Sequence, residues 1–193
     1  MGTALSSSAH EPFVTTFIFR GAPVIEDFSN ITTATPRLEL ALEVRLRFDP
    51  LPRMRGVPTG GDKGIVVVRS GEFDGPALRG SVVPASGGDF ATFRADGVVM
   101  LDARYMLTEE DGTSIFLYNR GFVWGRHPGA MEKFSALANG RSTEMVEPSE
   151  YYFRTMTTFD APAGKHDWLC RHVFVGTGAR LKDGNFVRYY KID

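Results

Sequence analysis

The stretch that decides the fold is Arg37-Leu38-Glu39-Leu40-Ala41-Leu42-Glu43-Val44-Arg45-Leu46-Arg47-Phe48. Its large apolar residues occupy every second position, and charged residues or alanine fill the positions between them. Side chains alternate between two faces in a strand but repeat every 3.6 residues in a helix, so this period of two predicts a β-strand. We expect the apolar face, from Leu38 to Phe48, to lie in a core and the charged face to meet water.

Further strand-like runs follow, separated by turn residues. Asp-Gly pairs stand at 74–75, 96–97, 111–112 and 183–184. This dipeptide favours tight hairpins, because type I′ turns need residues with positive φ. Segments 21–36 and 50–63 are expected to be loops, because they are rich in proline and glycine. The remaining predicted strands are Gly64–Ser70, Ala77–Val83, Phe90–Arg94, Val98–Thr108, Thr113–Trp124, Glu150–Phe159, Asp167–Gly176 and Asn185–Ile192.

One segment has helical spacing instead. Pro128 suits the first turn of a helix, and Asn139-Gly140 suits its end. Between them, an apolar face is formed by Met131, Phe134, Leu137 and Ala138. Nine or ten short strands with one helix predict an all-β fold, a single antiparallel barrel of about eight to ten strands, because closure removes exposed edges. Residues 1–11 are expected to be a disordered tail, and residues 12–193 the single domain.

Composition and charge argue against several classes of protein. The 193 residues include 22 Lys and Arg against 23 Asp and Glu, and this balance argues against a general nucleic-acid binder. Cys170 is the only cysteine, which excludes an intramolecular disulfide and a cysteine-rich zinc module. No apolar run approaches the ~20 residues that span a bilayer, and the N-terminus does not resemble a signal peptide. A cytoplasmic protein without a membrane partner is expected.

Five ordered motifs resemble those of a family of small bacterial and fungal β-barrels, domain of unknown function 3237. The most extensive motif is Gly71-Glu72-Phe73-Asp74-Gly75-Pro76-Ala77-Leu78-Arg79-Gly80. The other matching segments are Val83-Pro84 through Gly87-Gly88-Asp89-Phe90, Asp96-Gly97 with Leu101-Asp102-Ala103-Arg104-Tyr105, Tyr118-Asn119-Arg120-Gly121, Tyr151-Tyr152-Phe153-Arg154-Thr155, and also Trp168-Leu169. The resemblance covers roughly residues 12–192 and implies a calycin-like barrel. Some fungal relatives resemble cofactor-free isomerases or cyclases of aromatic polyketide or chalcone-like molecules.

The chain departs from the family pattern at three places. It has Gly88-Asp89-Phe90 where the family usually has Gly-Ala-Asp-Trp, and Phe159-Asp160-Ala161 where the family tends to have Phe-Glu-Thr. Cys170 stands where the family has an asparagine after Trp-Leu. Because the first and third changes affect residues that would line a pocket, no relative's substrate is transferred to this chain.

Three predicted strands carry an arginine two residues after an aspartate or a tyrosine. The pairs are Asp102 with Arg104, Tyr118 with Arg120, and Tyr152 with Arg154. Residues two apart share one face of a strand. If these faces look into the barrel, arginines would stabilise an oxyanion, a carboxylate would take a proton and a tyrosine would return it. The alternative is a solvated outer face or a structural ion pair.

Asp89 is the predicted general base. It follows two glycines, Gly87 and Gly88, and a turn rich in glycine lets backbone approach a ligand closely. The alternative interpretation is an Asx-turn cap. The predicted catalytic set is therefore Asp89, Asp102, Arg104, Tyr118, Tyr152 and Arg154.

Aromatic residues and one histidine form the predicted substrate contacts. They are Phe90, Phe116, Trp124, His127, Trp168 and Cys170. The alternative is core packing for the aromatics and a solvated loop for His127. His166, Cys170 and His172 are close in sequence, with the last two on one predicted strand face, but no further ligand has a standard zinc spacing. No metal and no cofactor is predicted, since nucleotide, serine-hydrolase and zincin motifs are all missing from the sequence.

These features predict a cofactor-independent isomerase or cyclase of secondary metabolism. It would use acid–base chemistry on a small aromatic or polyketide-like substrate in a barrel pocket. Two alternatives stay open, a carrier barrel that binds the ligand without turnover and a structural oligomer with a plugged barrel. The expected partners are an aromatic small molecule and, in a homodimer, a second copy of the chain.

Overall fold

The computed structural model describes residues 32–50 and 52–193. The helix is α1 (Ala130–Ala138), and 3-10 turns cover Pro148–Glu150 and Asp167–Arg171. The strands are β1 (Leu38–Pro50), β2 (Asp62–Asp74), β3 (Gly80–Val82), β4 (Gly88–Phe93), β5 (Val99–Glu109), β6 (Ser114–Gly125), β7 (Tyr151–Asp160), β8 (Phe174–Arg180) and β9 (Gly184–Ile192).

The strands form one closed antiparallel barrel. From β5 to β9 each strand pairs with the next, β9 pairs with β1, and β1 pairs with β2. The short strands β3 and β4 both lie between β2 and β5, so together they occupy one position in the wall. The barrel therefore has eight strand positions, which confirms the predicted all-β class and strand number.

The alternation in β1 is confirmed in its second half and is wrong in its first. Leu42, Val44 and Leu46 point into the core, as predicted. Leu38 and Leu40 are exposed, because the pairing of β1 with β9 shifts register between Leu40 and Leu42. A bulge at this point moves the following side chains to the other face of the strand, which a simple alternation rule misses.

Large side chains from β1 and from β5 to β9 fill the barrel interior. Each of the following is almost completely buried: Leu42, Val44, Tyr105, Leu107, Ile115, Leu117, Phe153, Phe159, Phe174, Val187 and Tyr189. Phe159 packs edge-on against Phe174, with ring centroids 4.9 Å apart. A barrel of eight strands has an interior just wide enough for such side chains, so apolar burial accounts for the alternation of the strands.

Packed elements cover both ends of the barrel. At one end, Leu137 of α1 is fully buried and Phe134 packs edge-on against Tyr151. Arg180 also points inward there and donates to the backbone carbonyl of Ala138 at the end of α1. At the other end, residues 161–172 lie across the barrel with Leu169 fully buried. The helix was predicted correctly, including its apolar face and its end at Asn139-Gly140.

Two predictions about local structure are wrong. Residues 167–171 form a 3-10 turn rather than the start of a strand, because burial of Leu169 against the barrel end favours the compact turn. Of the four Asp-Gly pairs, Gly97 and Gly112 have the expected positive φ. Gly75 and Gly184 do not have it. Gly184 lies within β9, where a Cβ atom would come 1.7 Å from the carbonyl oxygen of Leu46. Glycine is needed at this position because β9 and β1 approach each other closely.

Residues 36–193 form a compact unit. The predicted tail at 1–11 and most of the predicted loop at 21–36 lie outside the described residues. Within the described ranges, α1 and the two 3-10 turns are too short to cross a membrane as helices.

The bulge in β1 gives a direct test of the core. Leu42→Ala removes a fully buried side chain and should lower the free energy of unfolding by about 2–5 kcal/mol. Leu40→Ala, two positions away on an exposed side chain, should change it by less than about 1 kcal/mol. Urea denaturation of both variants measures the difference, and equal losses would contradict the described register.

Candidate functional site

Asp89 lies on β4 where the hydrogen bonding of the barrel wall is interrupted. The β4–β5 ladder pairs Asp89 with Ala103 and resumes at Thr92 opposite Met100. Within the described chain, the two residues between Asp89 and Thr92 have no paired partner on β5. The Oδ1 atom of Asp89 accepts the backbone N–H of Asp102 at 2.9 Å. The carboxylate therefore replaces a backbone acceptor in the wall.

The two glycines before Asp89 bring β4 close to both neighbouring strands. A Cβ atom on Gly87 would lie 1.9 Å from the carbonyl oxygen of Arg104, and one on Gly88 would lie 2.5 Å from that of Val66. No other residue type fits such contacts without movement of the backbone. The glycines that suggested a ligand turn from sequence thus position Asp89 within the wall.

Two buried tyrosines lie on the inner side of the wall near Asp89. The hydroxyl oxygens of Tyr105 and Tyr189 are 3.4 Å apart, and both side chains are fully buried. Burial raises the pKa of both hydroxyls, and the negative charge of Asp89 raises it further. Both tyrosines therefore remain protonated at neutral pH and can donate a hydrogen bond.

The surroundings of Asp89 shift the pKa of its carboxyl toward neutral pH. Burial raises the pKa of the Asp89 carboxyl to about 6, and the negative charge of Asp102 contributes to the rise. The hydrogen bond from the Asp102 amide opposes this shift. A carboxyl with such a pKa can take a proton as a base and return it as an acid under physiological conditions.

A layer of small polar side chains continues around the interior. The Thr157 hydroxyl donates to the Asn119 side-chain oxygen at 2.7 Å, and both residues are buried. The buried Thr155 hydroxyl has no hydrogen-bond partner among the described residues. Sequence analysis missed this layer and the tyrosine pair. The available signal was the occurrence of polar residues at inward positions of strands that are otherwise apolar.

The arginine-bearing faces point out of the barrel, so their predicted interior position is wrong. The inward residues of β5 and β7 are the neighbours of these pairs, such as Ala103 and Phe153. The guanidinium of Arg104 lies 3.4 Å from the Asp102 carboxylate, and Arg120 reaches the same carboxylate at 3.4 Å. The alternative interpretation, an outer face with ion pairs, is the observed one, because apolar side chains occupy the inside. The residues involved are Asp102, Arg104, Tyr118, Arg120, Tyr152 and Arg154.

On this outer face the structure brings together several predicted site residues. Trp124 stacks on Tyr152, with ring centroids 5.2 Å apart and planes at 16°. The guanidinium of Arg154 lies 5.5 Å from the Tyr152 ring. His127 contacts Glu150 at 3.3 Å and lines, with Trp124, an open cavity of about 310 Å³ beside α1. Trp124 and His127 are therefore accessible to a ligand from outside the barrel.

The other predicted substrate contacts are dispersed. Phe90 is exposed on the outer wall next to Asp89, and Phe116 packs against Tyr118 with centroids 4.8 Å apart. Trp168 packs against Phe174 at the far end of the barrel. Cys170 is exposed nearby, and its Sγ accepts the Ala161 N–H. Phe90, Phe116, Trp168 and Cys170 do not join one pocket, because they come from opposite faces or ends of the barrel.

A second titratable cluster lies at the end covered by residues 161–172. His166 is only 2% exposed, and its Nε2 contacts the buried carboxylate of Glu109. Lys165 donates to Glu109 at 2.8 Å and to Asp111 at 3.2 Å. The ligand atoms of Glu109, Asp111 and His166 lie within 4.8 Å of one another, close enough for a metal ion. The ammonium of Lys165 already forms ion pairs with both carboxylates, which favours a structural role.

Glu109 also borders an open cavity of about 400 Å³ between β3 and β5. Arg79, Gly80 and Thr108 line the same cavity, together with Glu110. This opening lies at the opposite end of the barrel from α1. It therefore does not include Asp89 or the outer cluster around Trp124.

The Glu109 cluster should stabilise the closed end of the barrel. Glu109→Gln removes the charge between Lys165 and His166, and breaking such a buried pair should cost about 3–5 kcal/mol in the free energy of unfolding. The control is Asp74→Asn, which removes an exposed partner of Arg79 and should leave stability near that of the wild type. Urea denaturation compares the two, and a Glu109→Gln protein of wild-type stability would contradict the proposed structural role.

The raised pKa of Asp89 should appear in the pH dependence of stability. The folded protein holds this proton more tightly than the unfolded chain does, so the associated stability is present below about pH 4 and is lost as pH rises through about 6. Asp89→Asn keeps an acceptor for the Asp102 amide but removes the titration. Relative to this variant, the wild type should lose about 2–3 kcal/mol between these pH values. Urea denaturation across the pH range measures the loss, and parallel curves would refute it.

Comparison with known proteins supplies the family. The family model described as "Protein of unknown function (DUF3237)" matches residues 36–192. A UPF0311 protein of Bradyrhizobium diazoefficiens is 34% identical over 147 residues, covering 74% of this chain and 91% of the relative.

Two solved structures have the same fold. A protein of unknown function from Clostridium acetobutylicum superposes with a TM-score of 0.72 at 27% identity, covering 84% of this chain and 100% of that one. An enzyme from Penicillium herquei superposes with a TM-score of 0.58 at 21% identity, covering 85% and 99%. The match to the family model over the whole barrel confirms the resemblance seen in the sequence motifs, and the chain belongs to the DUF3237 family, whose function is unknown.

Proposed function

We propose that the protein is a cofactor-independent isomerase or cyclase that uses Asp89 as its general base. The substrate class is a small aromatic or polyketide-like molecule with an acidic C–H or phenolic O–H group. The observation that carries the proposal is the Asp89 carboxyl, held in the wall beside the Tyr105–Tyr189 hydroxyl pair with a pKa of about 6. A catalytic base works best when its pKa lies near the working pH.

The proposed reaction is a proton transfer in two steps. Ionised Asp89 takes the proton, and the electron pair of the broken C–H or O–H bond remains on the substrate as an enolate or phenolate. The neutral tyrosine hydroxyls and the outer arginines Arg104 and Arg154 are candidates to stabilise that oxyanion. Protonated Asp89 then returns the proton at a different atom of the substrate. Alternatively, the oxyanion closes a ring on an unsaturated acceptor within the same substrate, and protonated Asp89 gives the proton to the acceptor atom that gains the electron pair. Either outcome is an isomerisation, so no external oxidant or reductant is consumed.

Two further lines support an enzyme of this type. One protein with this fold, from Penicillium herquei, is described as an enzyme, although at 21% identity the likeness concerns the fold alone. The sequence motifs also resemble those of a family in which some fungal members look like cofactor-free isomerases or cyclases of aromatic polyketide or chalcone-like molecules. A panel of compounds of this class is therefore the appropriate test.

A plugged or carrier barrel is the second candidate, and a specific observation favours it. Tyr105, Tyr189, Phe153 and Phe174 fill the interior and are each no more than 2% exposed. An interior filled in this way suits a structural barrel or one that binds ligands only at its surface. Product formation distinguishes the candidates, because a carrier binds the panel compounds without converting them.

The enzyme should exchange substrate protons with solvent, and Asp89 should control the rate. In D₂O, small phenolic enones and polyketide-like lactones should gain deuterium or rearrange, as followed by mass spectrometry. Asp89→Asn should lower the rate about 10²–10⁴-fold. The exchange rate of the wild type should rise with pH through about 6 as Asp89 ionises. The rate of the Asp89→Asn protein should not show this rise.

The matched control is Glu144→Gln, the same chemical change on an exposed loop, which should keep the wild-type rate. Equal rates in the Asp89→Asn and wild-type proteins would contradict the assignment of the base. Binding of panel compounds without exchange or product would favour the carrier instead.

A further inference from the structure

The interruption of the β4–β5 ladder gives Asp89 a connection to the outer surface. Its Oδ1 accepts the amide N–H of Asp102, whose own side chain lies on the outside with Arg104 and Arg120. Asp89 itself is only partly buried, and the next residue, Phe90, is exposed on the outer wall. The carboxylate therefore lies between the interior tyrosines and the external face of β5.

The ends of the barrel offer poorer routes to Asp89. At one end, α1 buries Leu137 and Ala130 completely. At the other end, the segment 161–172 buries Leu169 and anchors His166 on Glu109. A substrate that entered through either end would have to displace these elements and then the aromatic side chains of the core. Approach through the wall needs neither displacement.

The outer wall beside the interruption carries an unusual set of exposed side chains, which we call the wall face. It consists of Phe90, Met100, Arg104, Arg120, Phe122 and Arg154. Met100 lies directly opposite Phe122, and Phe122 lies directly opposite Arg154 on the next strand. Phe90 is 51% exposed, and Met100 and Phe122 are each 40% exposed. Apolar side chains clustered in this way on a surface indicate a binding site.

The charges of the wall face indicate what it binds. Three guanidinium groups, those of Arg104, Arg120 and Arg154, accompany one carboxylate, Asp102. A second copy of the chain would bring two positive faces together in a symmetric contact, which is unfavourable. A flat apolar molecule with a negatively charged oxygen suits both the exposed aromatic and methionine side chains and the arginines.

We propose that a flat aromatic phenolate or enolate docks on the wall face from outside the barrel and meets Asp89 through the interruption between β4 and β5. The proposal rests on the proposed function. It specifies the route by which the substrate reaches Asp89 and the charge that the substrate carries. Phe122 provides the apolar contact, and Arg120 adds its positive charge to those of Arg104 and Arg154 in attracting the oxyanion. These two are specificity-determining residues, whereas Asp89 carries out the proton transfer.

A binding experiment tests the wall face without turnover. The probe is 7-hydroxycoumarin as its anion, with neutral 7-methoxycoumarin for comparison, titrated into the ¹⁵N-labelled full chain. We expect amide shifts at Met100, Asp102 and Phe122, and weaker binding of the neutral probe. Phe122→Ala and Arg120→Gln should each weaken binding of the anion about tenfold or more, which corresponds to about 1.4 kcal/mol. Val173→Ala, an exposed apolar residue elsewhere, is the control and should bind normally.

Three results of this titration would overturn the proposal. They are shifts confined to the α1 end, an affinity unchanged in Phe122→Ala, and no binding at about 1 mM probe. Sedimentation that shows a dimer broken by Phe122→Ala would also overturn it, since a second copy would then occupy the face.

The exchange assay separates this proposal from the proposed function. If both are right, Phe122→Ala raises KM about tenfold with little change in kcat, while Asp89→Asn lowers kcat. Loss of activity in Asp89→Asn with an unchanged KM in Phe122→Ala would refute the wall face alone. Probe binding at the wall face with no Asp89-dependent exchange would refute the proposed function.

Discussion

The carboxylate of Asp89 is held in the wall of a barrel whose interior is filled with apolar and aromatic side chains. Its position depends on two glycines that let β4 approach both neighbours, and on an amide N–H of β5 that the ladder leaves for it. Burial raises its pKa, and burial also raises the pKa of the Tyr105 and Tyr189 hydroxyls, to which the negative charge of Asp89 adds. The arrangement thus joins a carboxyl that titrates near neutral pH to nearby hydrogen-bond donors, and the proposed function depends on it.

Closure of the barrel explains why the wall can accommodate a polar side chain at the position of Asp89. A closed sheet leaves no unpaired edge, so an interruption in one ladder is the place where a side chain can replace a backbone acceptor. The short strands β3 and β4, which share one position in the wall, create that place. Because the barrel is closed, its inner faces are filled by packed apolar side chains. The arginines and most of the predicted site residues therefore lie on the outside.

Much of the fold could be predicted from sequence because it follows from local patterns. Alternation in β1, the Asp-Gly turns at Gly97 and Gly112, and the apolar face of α1 each depend on neighbouring residues only. The bulge before Leu42 could not be predicted, since it depends on pairing with β9. The choice of inner face for β5 and β7 also depends on partners distant in sequence. Asp89 was predicted as a site residue from its glycines, whereas Tyr105 and Tyr189 come together only in the closed barrel, 84 residues apart in the chain.

The ionisation of Asp89 is the property that most directly tests this account. Carbon-13 NMR of the side-chain carboxyls, titrated from acid to neutral pH, measures it in the folded protein, with Asp89→Asn used to assign the signal. The account predicts a midpoint of about 6 for Asp89. A midpoint near 4, the usual range of an exposed aspartate, would show a solvated carboxylate and would remove the basis for its role as a base.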